Sequence, residues 1–294
     1  MDNPTNSTPT LASCQQKFIE YLQTNNRANA TILAYGKDIM QLVEFSAGQN
    51  LTLPTHITPE TIEAFKASLA HDNYTPKSIS RKINSIKSFF RFLKSEAVLT
   101  QNPAIDVSHP KVEITPPRIL TKMEYRALRD ACRNDERLSA IVEILLQTGI
   151  RISELAGLKL EDVDSDYKKI HINSQESHEA RTIPLNKSAA ASLEKYLKYR
   201  PETKSKNLFV TKTGRPFLIR NIRAAIDRYF KLAGIKDAKV NDLRHTFIAE
   251  QLAAGTPLIF VSKLVGHKRL TTTEKYLKFL DNRFEKNEVK LQEL

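Results

Sequence analysis

Four prolines between residues 103 and 120 (Pro103, Pro110, Pro116 and Pro117) set the strongest limit on how this 294-residue chain can fold. Proline fixes φ, lacks an N–H and biases the residue before it away from helix, so no helix can run through the stretch. On both sides of it apolar residues recur at helical spacing. The chain is therefore expected to form two domains joined by an extended connection, and its length allows two cores of ordinary size. The spans implied are a disordered polar tail over 1–10, a helical domain over 11–105, a linker over 106–117 and a second domain over 118–294.

In the first span Phe18, Tyr21 and Leu22 mark one helix, and Ile32, Tyr35, Ile39, Leu42 and Val43 another. Thr58-Pro59-Glu60 reads as an N-cap, a first-turn proline and a first-turn acid. The next helix has an apolar stripe of Ile79, Ile83, Ile86, Phe90 and Leu93. Around it sit Lys77, Ser80, Arg81, Lys82, Lys87, Arg91 and Lys94, with no acid before Glu96. Two readings stay open: a solvated basic face, or a helix laid on phosphates.

The second span opens with Thr121 and Glu124 spaced as a capping box. Two short alternating runs, Lys169 to Asn173 and Arg181 to Leu185, flank a polar turn from Ser174 to Glu179 and predict a hairpin; Leu208 to Val210 predicts a further short strand. Helices are expected from Asn186 to Tyr199, Ile219 to Ala233, Asp242 to Ala254 and Leu258 to Val265, the last three ended by Gly234, Gly255 and Gly266. A short helix capped by Thr272 carries Tyr276. The fold class is mainly α with a small antiparallel β-sheet in the second domain.

Charge is shared unevenly. The whole chain carries +12, but residues 1–115 hold 11 Lys/Arg against 10 Asp/Glu, and residues 116–294 hold 34 against 23. The second domain is thus the main electrostatic footprint for a polyanion. Cys14 and Cys132 are far apart and match neither a disulfide framework nor a Cys-rich zinc site. No Gly-rich nucleotide loop is present, which argues against an ATP-driven enzyme. The polar first residues lack a signal-peptide core, and no apolar run reaches membrane-spanning length, so the cytoplasm is the default compartment and no membrane partner is expected.

Four fragments carry chemistry: Thr148-Gly149-Ile150-Arg151-Ile152-Ser153-Glu154-Leu155, Asn241-Asp242-Leu243-Arg244-His245, Leu264-Val265-Gly266-His267 and Thr271-Thr272-Thr273-Glu274-Lys275-Tyr276. Breaking a phosphodiester without a metal needs a nucleophile, charge stabilisation and a proton for the leaving oxygen. Arg151 and Arg244 can bracket one phosphate with permanently charged planar forks, and both lie near helix N-termini, where amides favour an anion. His267 can donate from a tight turn. Tyr276 is a nucleophile that needs help at neutral pH. Glu154, one turn after Arg151, can orient a neighbouring cation. No metal-ligand cluster is present, and no cofactor is implied. Taken singly, each residue has a structural reading: a surface salt bridge, a turn His, a core Tyr.

On these fragments, and on Ser78-Ile79-Ser80-Arg81-Lys82-Ile83 with Phe89-Phe90-Arg91-Phe92-Leu93 upstream, the chain resembles the tyrosine recombinases of the phage integrase family, in a Xer-like or transposon-resolvase-like layout. The resemblance implies a helical core-binding domain and a catalytic domain that clamp duplex DNA. It implies that Arg151 and Arg244 hold the scissile phosphate, that His267 hydrogen-bonds it, that Glu154 is the acidic support, and that Tyr276 forms a 3′-phosphotyrosine. It also implies a homo-oligomer, a dimer on a site and a tetramer in synapsis, with residues 282–294 docked on a neighbouring subunit. Lys77, Ser80, Arg81, Lys82, Lys87 and Arg91 would contact DNA.

Two positions depart from the family pattern. Asn241 stands where the family places a His, three residues before the second Arg, and Glu176 stands in the hairpin turn where the family places its general-acid Lys. His178, Lys168 and Lys169 remain candidates for that proton donor. Two other functions are compatible with the same residues. One is a topoisomerase-like nicking and rejoining enzyme of type IB. The other is a DNA-binding accessory protein with weakened catalysis.

Overall fold

Helix boundaries in the chain follow its caps. Thr58 accepts the Thr61 N–H at 3.3 Å and starts α3 (Pro59–His71), and Thr75 with Pro76 starts α4 (Pro76–Ser95). The computed structural model describes residues 9–113, 115–174 and 179–284, and the chain divides into two units at Ile114/Thr115. Most of the polar tail, the turn residues Glu176 and His178, and all but the first residues of the 282–294 segment lie outside the described residues.

In the first unit, α1 (Leu11–Thr24), α2 (Asn29–Ala47), α3 and α4 surround one aromatic-rich core. The expected stripe on α4 is buried, and Phe89 and Phe92 join it; Phe18 of α1 meets Phe89 edge-on at 5.4 Å. The buried face is wider than the spacing predicted because α4 packs against α1, α2 and α3 at once.

One expected DNA contact is overturned. Lys82 is only 3% exposed, and its ammonium lies 3.0 Å from the buried Asp38 carboxylate of α2 and also donates to Gln41. Arg81 and the Ser85 hydroxyl, at 2.7 Å, hold the other Asp38 oxygen. Lys82 is a cation of the core because a buried carboxylate requires charged and hydrogen-bonding partners. Lys77 and Arg91 are exposed, while Ser80 meets His109 at 3.1 Å and Lys87 donates to the Ile105 carbonyl at 3.1 Å.

The connection also begins later than its prolines suggest. Ala104 and Val107 are buried in the first core, and Lys66 donates to the Ser108 carbonyl at 3.2 Å. On the far side Leu120 is buried and its N–H donates to Thr246 Oγ1 at 2.8 Å.

The second unit comprises α5 (Lys122–Cys132), α6 (Glu136–Thr148), α7 (Ile152–Gly157), β1 (Lys169–Ile172), β2 (Arg181–Pro184), α8 (Lys187–Tyr199), α9 (Ile219–Leu232), α10 (Val240–Ala253), α11 (Leu258–Val265) and α12 (Thr271–Phe284). α6 is buried along most of its length, as a helix packed by neighbours on several sides must be. β1 and β2 pair antiparallel, with Ile170 opposite Ile183 and Ile172 opposite Arg181. The expected third strand does not join them. Asn207 and Val210 make only isolated bridges, to Lys159 and Pro216, and Pro216 has no N–H with which to extend a ladder. Among the described residues no helix is long and apolar enough to cross a membrane.

Lys82→Ala would leave Asp38 charged in a core; we expect a loss of about 3–5 kcal/mol in urea unfolding. Lys77→Ala, on the exposed face, is expected to stay within about 0.5 kcal/mol. Equal losses for the two would refute the core role of Lys82.

Candidate active site

The C-terminal end of α11 is where the predicted residues meet. Gly266 closes the helix in the left-handed region (φ 67°), and the His267 N–H returns to the Ser262 carbonyl at 3.0 Å. That closure leaves the carbonyls of Leu264, Val265 and Gly266 pointing outward as the negative end of the helix. Three arginines cap them. Arg181 Nε donates to Leu264 at 2.7 Å, Arg244 Nη2 to Val265 at 2.8 Å, and Arg151 Nη2 to Gly266 at 2.9 Å. Arg151 Nη1 also reaches the Val265 carbonyl at 3.4 Å, so Arg151 and Arg244 converge on one oxygen. A Cβ on Gly266 would lie 2.9 Å from the Arg181 guanidinium carbon, so this arrangement requires glycine there.

Glu154 is the counter-charge. Its side chain is 1% exposed; it accepts the Arg151 N–H at 2.8 Å and Arg151 Nη1 at 3.0 Å, and takes a two-pronged pair from Arg181 at 2.9 and 2.8 Å. The amide at the start of α7 is therefore closed by Glu154, and does not face an anion as its position in sequence suggested. Burial pushes the Glu154 carboxyl up, but the hydrogen bonds from Arg181 and the Arg151 N–H, with both guanidinium charges, bring it down to about 2.

Arg244 is 6% exposed, and its Nη1 donates to the Gly149 carbonyl at 2.6 Å. Gly149 takes φ 63° at the end of α6, and the Phe247 ring occupies the space a Cβ would need. Burial, and then the neighbouring charge of Arg151, push Arg244 down to about 9, which still leaves it charged at neutral pH. Three guanidinium groups facing one carboxylate leave net positive charge in a largely dry site, which is what an anionic phosphate diester would neutralise.

His267 and Tyr276 flank this cluster. His267 Nδ1 lies 2.7 Å from the Oγ1 of buried Thr273, which ties the turn after α11 to α12. Tyr276 is 8% exposed and packs among Phe247, Ile248, Val261 and Val265. Burial raises its hydroxyl above the ordinary phenol range, and the Arg244 charge opposes that rise. Asn241 Nδ2 lies 2.9 Å from His245 Nε2, and the His245 ring meets the Tyr276 ring edge-on at 5.9 Å. A cavity of about 490 Å³ opens against Asn241 and Arg244, with Arg223 and Lys239 on its walls.

The fold thus gathers Arg151, Glu154, Arg244, Asn241, His267 and Tyr276 in the second unit. Lys77, Ser80, Arg81, Lys87 and Arg91 belong to the first unit. Lys168 is exposed and paired to Asp166 at 2.7 Å. Lys169 starts β1 opposite Pro184, three residues along the ladder from Arg181, or roughly 10 Å. Neither adjoins the arginine cluster. Sequence reasoning missed Arg181, His245 and Thr273. Arg181 lay in view as the first residue of a strand, but its partners are 27 and 83 positions away.

Two family models match the chain: the phage integrase family over residues 118–283 and the phage integrase N-terminal SAM-like domain over residues 16–97. Tyrosine recombinase XerD of Rickettsia bellii is 31% identical over 291 residues, covering 92% of this chain and 95% of its own length. Tyrosine recombinase XerC of Roseiflexus castenholzii is 29% identical over 274 residues, covering 89% and 87%. Among solved structures, the Tn1549 transposon integrase in complex with transposon right-end DNA shares the fold with a TM-score of 0.77 at 19% identity, covering 95% of this chain and 99% of that one.

A carboxyl held near 2 instead of 4.5 adds stability that is complete above about pH 4.5 and is lost as pH falls toward 2. Glu154→Gln is expected to cost on the order of 3 kcal/mol at pH 7 and to flatten the stability profile between those limits. Denaturant titrations at successive pH values check this. An unchanged acid limb would show that Glu154 is not the carboxylate in question.

Proposed function

The chain belongs to the phage integrase family and is a site-specific DNA recombinase, and from that premise we propose how its own residues divide the strand chemistry. Duplex DNA is the substrate. Arg151 and Arg244 bind the non-bridging oxygens of the scissile phosphate, and His267 donates a further hydrogen bond to it. The Tyr276 oxygen attacks phosphorus, its proton leaves, and the bond from phosphorus to the 5′-oxygen breaks. The products are a 3′-phosphotyrosine on Tyr276 and a 5′-hydroxyl once the leaving oxygen has taken a proton. Attack by a 5′-hydroxyl from a second strand reverses the step and frees the tyrosine. The ester keeps the bond energy, so the cycle is isoenergetic and requires no nucleotide.

The observation that supports this division most directly is the surplus of fixed positive charge at the end of α11. Arg151 and Arg244 share the Val265 carbonyl, so their guanidinium groups are already oriented before any phosphate arrives. Stabilisation that needs no reorganisation at the moment of reaction is the most effective kind. Glu154 and Arg181 act by positioning Arg151 through hydrogen bonds. The exposed cations Lys77 and Arg91, with Lys87 and the hydroxyl of Ser80, would make backbone contacts to DNA from the first unit. Assembly as two protomers on a site and four in synapsis follows the family.

Incubation with a nicked suicide duplex carrying the cognate site should trap a covalent adduct on a denaturing gel. Tyr276→Phe is expected to abolish it. Arg151→Ala and Arg244→Ala are expected to lower its rate by about 10²–10³ while the fold is retained by circular dichroism. An adduct that persists in Tyr276→Phe would remove Tyr276 as the nucleophile.

A further inference from the structure

The face of α4 opposite its core stripe is polar throughout. Lys77, Arg81, Asn84, Ser88 and Arg91 recur at intervals of four and three residues, which on a helix is one stripe, about 21 Å long. Ser88 is half-buried and the other four are exposed. No acidic residue occurs between Pro76 and Ser95. A stripe of this kind suits the major groove of duplex DNA, which admits a single α-helix. Within it Arg81 differs from its neighbours. Among the described residues Lys77 and Arg91 have no hydrogen-bonded or ionic partner, whereas Arg81 Nη1 donates to Oδ2 of the buried Asp38. That oxygen also accepts the Ser85 hydroxyl at 2.7 Å, and Oδ1 accepts Lys82 at 3.0 Å. Lys82 is fixed in turn by Gln41 and lies 5.0 Å from the centre of the Tyr74 ring, and Gln41 donates to the Tyr74 hydroxyl at 3.1 Å. The Asp38 carboxylate is thus anchored independently of Arg81, and the arginine takes its direction from it.

An arginine reads guanine by placing two N–H groups on O6 and N7, and the contact discriminates well only when the planar fork arrives already oriented. A cation without an anchor pairs with whichever phosphate lies near it, which fixes register and carries no sequence information. One of the five N–H donors of Arg81 is spent on Asp38. Among the described residues no other group takes the rest, and the side chain is half exposed. We propose that Arg81 reads a G·C pair in the major groove and that Asp38 is the positioning residue that presents it, while Lys77 and Arg91 hold phosphates. Asp38 then has two tasks: it pairs Lys82 in the core and aims Arg81 out of it. The inference rests on the reading of α4 as a DNA-contacting helix and deepens it, since that reading gives the first unit backbone contacts alone.

The test uses the full chain and a pool of duplexes of randomised sequence. Duplexes are selected by binding, and affinities for the selected and the unselected pool are followed against salt. Arg81→Lys keeps the charge and a donor for Asp38 but has no fork. It is expected to lose the preference for guanine at one position per bound protomer, by at least about fivefold, and to keep the rest of the selected sequence and the salt slope. Lys77→Ala should keep the whole selected sequence, bind every duplex more weakly and lower the salt slope by about one. Asp38→Leu combined with Lys82→Met exchanges the buried ion pair for apolar residues and leaves neither charge unpaired. In that double variant the same guanine preference should fall although Arg81 is intact. Melting temperatures check that each variant is folded in the assay. A selected sequence unchanged in Arg81→Lys, or a loss of affinity spread evenly over all sequences, overturns the proposal. A guanine preference unchanged in the double variant overturns the part given to Asp38. If Lys77→Ala, Arg91→Ala and Arg81→Lys all bind as the wild type does, the reading of α4 as a DNA contact fails as well.

Discussion

Three outward carbonyls at the end of α11 organise the catalytic unit. Like-charged guanidinium groups do not gather unaided, because bringing them together in a dry site costs several kcal/mol. Here the helix end offers its partial negative charge, Glu154 adds a full one, and each arginine has fixed acceptors before substrate arrives. Gly266 is essential to this, since only a residue that accepts a positive φ and lacks a Cβ lets Arg181 lie against the turn. The elements that meet there, α7, β2, α10 and α11, are held in place by the same bonds that orient the site. Stability and preorganisation are therefore one set of interactions.

The charge balance is deliberately incomplete. One carboxylate against three guanidinium groups leaves Arg244 the least comfortable member: buried, flanked by Arg151 and pushed down to about 9. A bound phosphate would relieve that repulsion. Tyr276 sits on the same gradient, with burial raising its hydroxyl and Arg244 opposing the rise. The first unit shows the opposite design, in which Lys82, Arg81 and Ser85 surround Asp38. One buried charge is fully paired; the other cluster keeps a surplus of positive charge.

Much of the fold was legible because it rests on local rules. Thr58, Thr121 and Asn186 cap helices through side-chain oxygens, and Gly149 and Gly266 end helices at positive φ. The β1–β2 hairpin followed from alternation. The misreadings were tertiary. Lys82 looks in sequence like any other cation on α4, and only the position of Asp38, 44 residues earlier, sends it inward. Leu208–Val210 is an apolar run that reads as a short strand but makes only isolated bridges at its ends, and Val107 belongs to a core although prolines surround it.

The four motif fragments by themselves carried the resemblance that implies the chemistry: two arginines, a histidine and a tyrosine in a fixed order. What they could not determine is how those groups are held. Arg181, the shared Val265 carbonyl and the Thr273 support for His267 are separations of 6 to 114 residues in sequence, closed only when α10, α11, α12 and the hairpin pack. Helix caps and periodicity act over a few residues and can be read along the chain. Hydrogen bonds between distant backbone carbonyls and guanidinium groups leave no pattern in it, because any carbonyl can accept them and only the packed fold decides which one does.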